Sequence, residues 1–224
     1  MLPYLYDTHV HSSDVSTCGR VPAADVVRTY AERGFNGFVL TEHINHSTFG
    51  KMERASWDEK MTHFLASYRI ARETAASLYP DFTVLLGAEL RIDGCDNDYL
   101  LFGVTEAFLR AHSDLMQMDF SSMSDCVRDA GILLVQAHPF RRHMTVVDWT
   151  RLDGIEVCNG NPGHESNNPI AAAWARRHGL IGTSGNDFHE AFGDTPAGIR
   201  TAQPITDNAQ LLCILKNGEY ELNA

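Results

Sequence analysis

Long hydrophobic runs are missing from this chain. None of its apolar stretches reaches the roughly 18–20 residues needed to cross a bilayer, which argues against a helical membrane span. The opening Met1-Leu2-Pro3-Tyr4-Leu5-Tyr6 is too short for a secretory signal and lacks the basic start. Cysteine is scarce. Cys18, Cys95, Cys126, Cys158 and Cys213 are scattered, odd in number and form no Cys-x-x-Cys, so free thiols in a reducing cytoplasm are expected rather than a disulfide framework. Positive charge is also short: 18 Lys and Arg against 29 Asp and Glu leave a formal net charge of −11. That balance opposes a long nucleic acid but not a small phosphorylated ligand, because bound cations would cancel part of the acid. No repeat, low-complexity tract or long linker divides the 224 residues, so residues 1–224 read as one domain with no membrane partner. Oligomeric state leaves no mark.

What is present is alternation. Short apolar runs at Tyr4–His9, Phe35–Leu40, Phe82–Leu90, Tyr99–Val104, Ile132–Ala137, Gly154–Cys158 and Leu180–Thr183 read as strands. Between them, Ala23–Arg33, Asp58–Leu78, Ser122–Ala130 and Pro169–His178 read as helices, with Asn208–Asn217 as a last one. Gly34, Gly131 and Gly179 directly follow helical stretches, where a left-handed cap is favoured. Strand–helix alternation of this kind predicts an α/β fold with parallel strands joined by crossovers. The irregular stretch 138–168 is expected to shape a pocket, as loops after strands do in α/β barrels.

Metal-binding side chains recur where these runs end. Residues two apart on a strand share a side, so His9 and His11 in Asp-Thr-His-Val-His can address one cation, with Asp7 read as an acceptor orienting an imidazole. Phe38-Val39-Leu40-Thr41-Glu42-His43 stops abruptly in polar residues. His43 is the ligand candidate there, while a helix start with Thr41 as cap is an equally good reading taken alone. Glu89 ends Leu85-Leu86-Gly87-Ala88-Glu89 and could bridge two cations, or else pair with Arg91. His138 ends the apolar run Ile132–Ala137, and Asp187 and His189 form a second same-side pair after Gly182-Thr183-Ser184-Gly185-Asn186. Five coincident clusters weigh more than any one of them.

Together, Asp-Thr-His-Val-His, Thr-Glu-His, Gly-Ala-Glu, Ala-His-Pro and Gly-Asn-Asp-Phe-His resemble the ordered motifs of the PHP (polymerase and histidinol phosphatase) superfamily over about residues 6–189. The resemblance implies a distorted seven-stranded β/α, TIM-like barrel with two or three divalent cations (Zn, Mn or Fe, with Mg also admissible) at the strand ends. It implies one metal on His9, His11, Glu89 and Asp187, a second on Glu89 and His138, and a third on His43 and His189. Two places depart from the family pattern. Asp98 stands where many members carry histidine, and is expected to substitute as an oxygen ligand. The third metal's usual Asp or His is shifted; Asp14 is the nearest acid, and Val15-Ser16-Thr17-Cys18 does not restore the spacing.

The activity so implied is phosphomonoester hydrolysis by a metal-activated water, on a small phosphorylated substrate. Glu89, Asp187 and His143 are the expected catalytic residues, and Arg141, His143 and Asn159 the expected substrate contacts. Three alternatives stay open: a nuclease or nucleotide phosphodiesterase on short nucleic-acid ends, a C–N bond hydrolase, and a metal-stabilised binding module without turnover.

Overall fold

The computed structural model of the chain describes residues 2–194 and 196–223. Seven runs expected as strands form a ring: β1 (Tyr4–Val10), β2 (Gly37–Leu40), β4 (Thr83–Leu90), β5 (Tyr99–Phe102), β6 (Leu133–Gln136), β7 (Gly154–Asn159) and β8 (Ile181–Gly185). Three further strands enlarge the sheet. The two-residue β3 (His43–Ile44) pairs with β4, and β9 (Gly198–Thr201) and β10 (Tyr220–Asn223) extend it beyond β1. Among the described residues the order β10-β9-β1-β2-β4-β5-β6-β7-β8, with β3 beside β4, makes a ten-stranded, nearly closed, barrel-like sheet rather than seven strands alone.

Expected parallel pairing holds for β1–β2, β2–β4, β6–β7 and β7–β8. It fails at β5, which runs antiparallel to both β4 and β6. Only residues 91–98 join β4 to β5, without a helix, and a link that short returns the chain as a hairpin rather than a crossover.

Helices coat this sheet: α1 (Ala23–Glu32), α2 (His46–Phe49), α3 (Trp57–Leu78), α4 (Glu106–Ala111), α5 (Phe120–Asp129), α6 (Asn168–His178) and α7 (Asn208–Asn217). The Ser56–Glu59 capping box starts α3, and the glycines after α1, α5 and α6 take positive φ as expected. The barrel interior holds Tyr6, Val39, Leu85, Leu100, Phe102, Leu133 and Val135, and α7 closes it with Leu211, Ile214 and Leu215. Thus α7 covers its own barrel. No described helix is long and apolar enough to cross a membrane.

The seam between first and last ring strands is held by a clasp. Asp7, wholly buried, accepts from His9 N (2.9 Å), Tyr30 Oη (2.6 Å), Asn186 N (3.0 Å) and Asn186 Nδ2 (2.6 Å). Thr8 donates to Ser184 O at 2.9 Å, and Val10 bridges Phe188 beyond β8. The pairing of β1 with β2 is irregular between Asp7 and Val10. This bulge resets the alternation, so that Leu5 and Val10, five apart, pack in the same outer layer while Tyr6 packs inside.

Candidate metal centre

His9 and His11, two apart, both face one end of the barrel, on the side opposite Val10, where four other strand ends deliver their polar residues. Glu89, at the end of β4, is the hub. Its Oε2 lies 3.3 Å from His9 Nε2, 3.2 Å from His11 Nε2 and 3.0 Å from His43 Nδ1, and its Oε1 lies 3.2 Å from His138 Nε2. Asp187 Oδ1 stands 3.5 Å from His9 Nε2 and 3.4 Å from both His11 Nε2 and His189 Nδ1. All but His43 and His189 are buried.

These distances are short, yet His9 Nε2, His11 Nε2, His43 Nδ1 and Glu89 Oε2 have no hydrogen-bond partner among the described residues. Buried polar atoms are normally satisfied. Lone pairs that converge without bonding one another fit an intervening cation, and imidazole with carboxylate is a suitable donor set for Zn, Mn or Fe. Four triads have ligand atoms within 4.8 Å of one another: His9, His11 and Asp187; His9, Glu89 and His138; His43, Glu89 and Asp98; and His11, His43 and His189.

Outer contacts set the tautomers. His9 Nδ1 donates to Glu156 Oε1 at 2.9 Å, which leaves Nε2 bare. Glu156 Oε2 accepts from His138 N (3.0 Å) and Asn159 Nδ2 (2.9 Å). It is therefore Glu156, not Asp7, that orients an imidazole; Asp7 is spent on the seam. Ser16 Oγ lies 3.3 Å from His11 Nδ1, accepts from His43 N at 3.1 Å and donates to Glu42. Glu42 in turn holds the backbone NH groups of Ser12 and Ser16, so it ties down a loop rather than facing the cluster. His138 and Asp187 adopt left-handed φ of 30° and 47°, strain that tends to gather at functional sites. Phe188, between Asp187 and His189, is buried against Val10 and the Tyr30–Phe192 aromatic group and anchors that turn from outside.

The remaining sequence candidates are placed unevenly. Asp98 reaches the cluster, 4.0 Å from His138, but its carboxylate is gripped by both Nε and Nη2 of Arg91. Arg91 therefore pairs with Asp98, not with Glu89. Asp14 lies outside the cluster and accepts from Ala23 N at 2.6 Å, at the start of α1. Arg141 is engaged with Asp187 Oδ2 (2.8 Å), Asn159 Oδ1 (3.0 Å) and Ser166. Asn159 thus links Glu156, Asp187 and Arg141. His143 is exposed on a left-handed turn, and among the described residues no hydrogen bond or ion pair joins it to the cluster. A pocket of about 390 Å³ opens beside His189, lined by Cys18, Arg20, Asn161, His164 and Glu190. Cys18, Arg20 and His164 were not among the residues expected here; the one signal for them along the chain is the Cys18-Gly19 pair, whose cysteine stands seven residues past His11.

Electrostatics follow from this crowding. Burial opposes charge on His9, but Glu89, Glu156 and Asp187 outweigh it and hold the imidazole well above its usual range. Burial is likewise outweighed at His43 by Glu89 and the Cys18 thiol, and at His189 by Cys18 and Asp187, so both are raised. Burial would lift Glu89 and Asp187, yet His9 and its neighbours depress both carboxyls well below the ordinary range. Burial also pushes Asp7 up to about 7 against its hydrogen bonds. At Cys18, hydrogen bonds from His189 and His43 overcome burial and bring the thiol down to about 5.

Without metal, the raised histidines stabilise the fold fully below about pH 6.5, and that contribution fades as pH climbs through their folded values. Depressed Glu89 and Asp187 contribute fully above about pH 4.5 and lose it as pH falls through theirs. From these imidazoles and carboxyls the metal-free chain should be most stable between about pH 4.5 and 6.5, with Asp7 drawing the optimum to the acid side and the depressed Cys18 thiol drawing it to the alkaline side. Cations compete with protons for the same nitrogens, so metal should move the optimum to higher pH. Thermal melts across pH, with chelator and with zinc, check this; coincident profiles would remove the coupling. Glu156→Gln replaces an acceptor oxygen by an amide donor, and should weaken metal affinity about 10–100-fold in competition with a metal buffer.

No family model matches the chain, and no curated protein matches it. Solved structures do. One is a two-domain protein from Bacteroides vulgatus containing a predicted PHP-like metal-dependent phosphoesterase, at 19% identity and TM-score 0.70, with 98% of this chain covered and 64% of that one. The chain thus spans a little under two thirds of that relative. An amidohydrolase from Chromobacterium violaceum with bound sulfate and no metal aligns at 18% identity and TM-score 0.53, covering 98% of each chain. A lesion-specific endonuclease from Pyrococcus furiosus aligns at 12% identity and TM-score 0.61, over 98% of this chain and 57% of its own. The chain has the fold of the PHP-like phosphoesterases.

Proposed function

We infer that this chain is a metal-dependent phosphoesterase of the PHP superfamily, hydrolysing a small phosphomonoester. The observation that carries the reading is the convergence of four buried atoms, His9 Nε2, His11 Nε2, His43 Nδ1 and Glu89 Oε2, each without a hydrogen-bond partner among the described residues. His9, His11, Glu89 and Asp187 would hold one divalent cation, Glu89 and His138 a second, and His43 and His189 a third. Bound there, such cations neutralise a phosphoryl group and bring water's pKa towards about 7.

The chain's own residues do the rest. Glu156 keeps the Nδ1 proton on His9, and Ser16 does the same for His11. Arg141 is pinned by Asp187, Asn159 and Ser166, so it adds a fixed positive charge beside the cluster at little ordering cost. Arg20 and His164 at the pocket rim add donors for an anionic group. A pocket of about 390 Å³ suits a small ligand, and the net charge of −11 disfavours a long polyanion.

Since related folds carry out different hydrolyses, the test needs several arms. The metal-free chain reconstituted with Zn, Mn, Fe(II) or Mg is assayed on phosphorylated metabolites, a generic phosphodiester and an amide panel. Metal-dependent, chelator-sensitive phosphate release from monoesters is expected. Cleavage confined to diesters or amides would replace the proposal, and stoichiometric metal without hydrolysis would make the chain a binding module.

A further inference from the structure

The loop from Ser12 to Arg20 carries a group that the proposed function leaves unused. Cys18 presents an exposed thiol whose Sγ lies 3.0 Å from Nε2 of His189. Nδ1 of His189 donates to the Asp187 carbonyl at 2.8 Å, so Nε2 is the ring nitrogen that faces sulfur. Behind this pair, ligand nitrogens of His11, His43 and His189 lie within 4.8 Å of one another. The rings of His43 and His189 flank that of His11, with centroids 4.3 and 4.5 Å away. His11 is wholly buried, and among the described residues neither its Nε2 nor Nδ1 of His43 has a hydrogen-bond partner. Imidazoles gathered beside a sulfur, with buried ring nitrogens left unsatisfied, are the donor arrangement of a cation site.

Backbone bonds hold the thiol there. Ser16 N donates to Ser12 O (3.2 Å), Gly19 N to Ser16 O (2.9 Å) and Arg20 N to His189 O (2.8 Å). A Cβ on Gly19 would sit 2.4 Å from Ser12 O, so this tight loop needs glycine directly after Cys18. Cys18 is thereby tied both to the strand end bearing His11 and to the backbone of His189.

The geometry points to Cys18 as a metal ligand that completes, with His43 and His189, a sulfur-containing site at the mouth of the cluster, taking a borderline-soft divalent cation of the Zn²⁺ or Co²⁺ type. The inference rests on the metal-dependent reading above and deepens it. On binding, sulfur donates as thiolate and the proton shared between it and Nε2 of His189 passes to solvent. Sulfur sets this position apart from the nitrogen and oxygen positions around Glu89, because thiolate favours zinc over Mn²⁺ or Mg²⁺.

The full chain is loaded with Co²⁺ and compared with Cys18→Ser. Wild type should show a near-ultraviolet sulfur-to-cobalt charge-transfer band that the variant lacks, and the variant should retain one equivalent of Zn²⁺ fewer. In wild type, Zn²⁺ should also protect Cys18 from alkylation, a measurement that needs no variant to fold. A cobalt-saturated wild type without the band, a band that survives in Cys18→Ser, or equal alkylation with and without Zn²⁺ would each overturn the assignment. Phosphate release without the band sinks the ligand and keeps the phosphoesterase. The band without hydrolysis of any substrate does the reverse. No uptake of either metal overturns both.

Discussion

Glu89→Gln should empty the cluster and stop turnover together. One carboxylate faces four imidazoles, with His9, His11 and His43 at 3.0–3.3 Å from Oε2 and His138 at 3.2 Å from Oε1. Glutamine keeps the shape but removes the charge and turns one oxygen into a donor, in a position only 1% exposed. Loss of an outer partner costs about 10–100-fold in metal affinity or activity. Loss of the shared oxygen pair should exceed that, with affinity and turnover both down by at least about a hundredfold. Metal content after desalting, measured beside phosphate release at high metal, gives the answer. Full metal and wild-type turnover in the variant would remove Glu89 from the centre of the site.

The second large effect is steric and lies at the seam. A Cβ on Gly185 would stand 2.5 Å from His9 Cβ, 2.7 Å from His9 N and 2.9 Å from Asp7 Oδ1. Two of those atoms are backbone or rigidly attached to it, so strand β8 would have to move away from β1. That movement breaks the Asp7–Asn186 clasp and displaces His9 at once. Ordinary overpacking costs about 1–3 kcal/mol. Gly185→Ala should reach the top of that range or pass it, and lose metal as well. Gly50→Ala supplies the control: nothing lies within 4 Å of its Cβ and its backbone is helical, so stability should hold or rise by about 0.4–1 kcal/mol. Urea unfolding of the metal-free proteins compares them, and equal losses would dismiss the seam argument.

Much of this was legible along the chain, because strand and helix character and glycine caps are local properties. The seven ring strands and five helices therefore emerge close to their expected bounds. Beyond them, β3, β9 and β10 escape, being short or built on partners far away, and β5 reverses direction because residues 91–98 are too few for a crossover. The side chains at the strand ends were also readable, since an apolar run that stops in His, Glu or Asp is visible without coordinates.

Which of those polar groups meet is another matter. His9 finds Glu156 across 147 positions, Arg91 takes Asp98 instead of Glu89, and a bulge turns Asp7 to the seam while leaving His9 and His11 on the inner face. Strand register governs such pairings, and a slip of one residue exchanges the two faces of a strand. The amino-acid order alone therefore determined the kind of elements and the chemistry at their ends. Only the closed sheet decided which carboxylate orients, which one gathers the imidazoles, and which cysteine stands beside them, because those choices depend on distances between strands that local pattern does not encode.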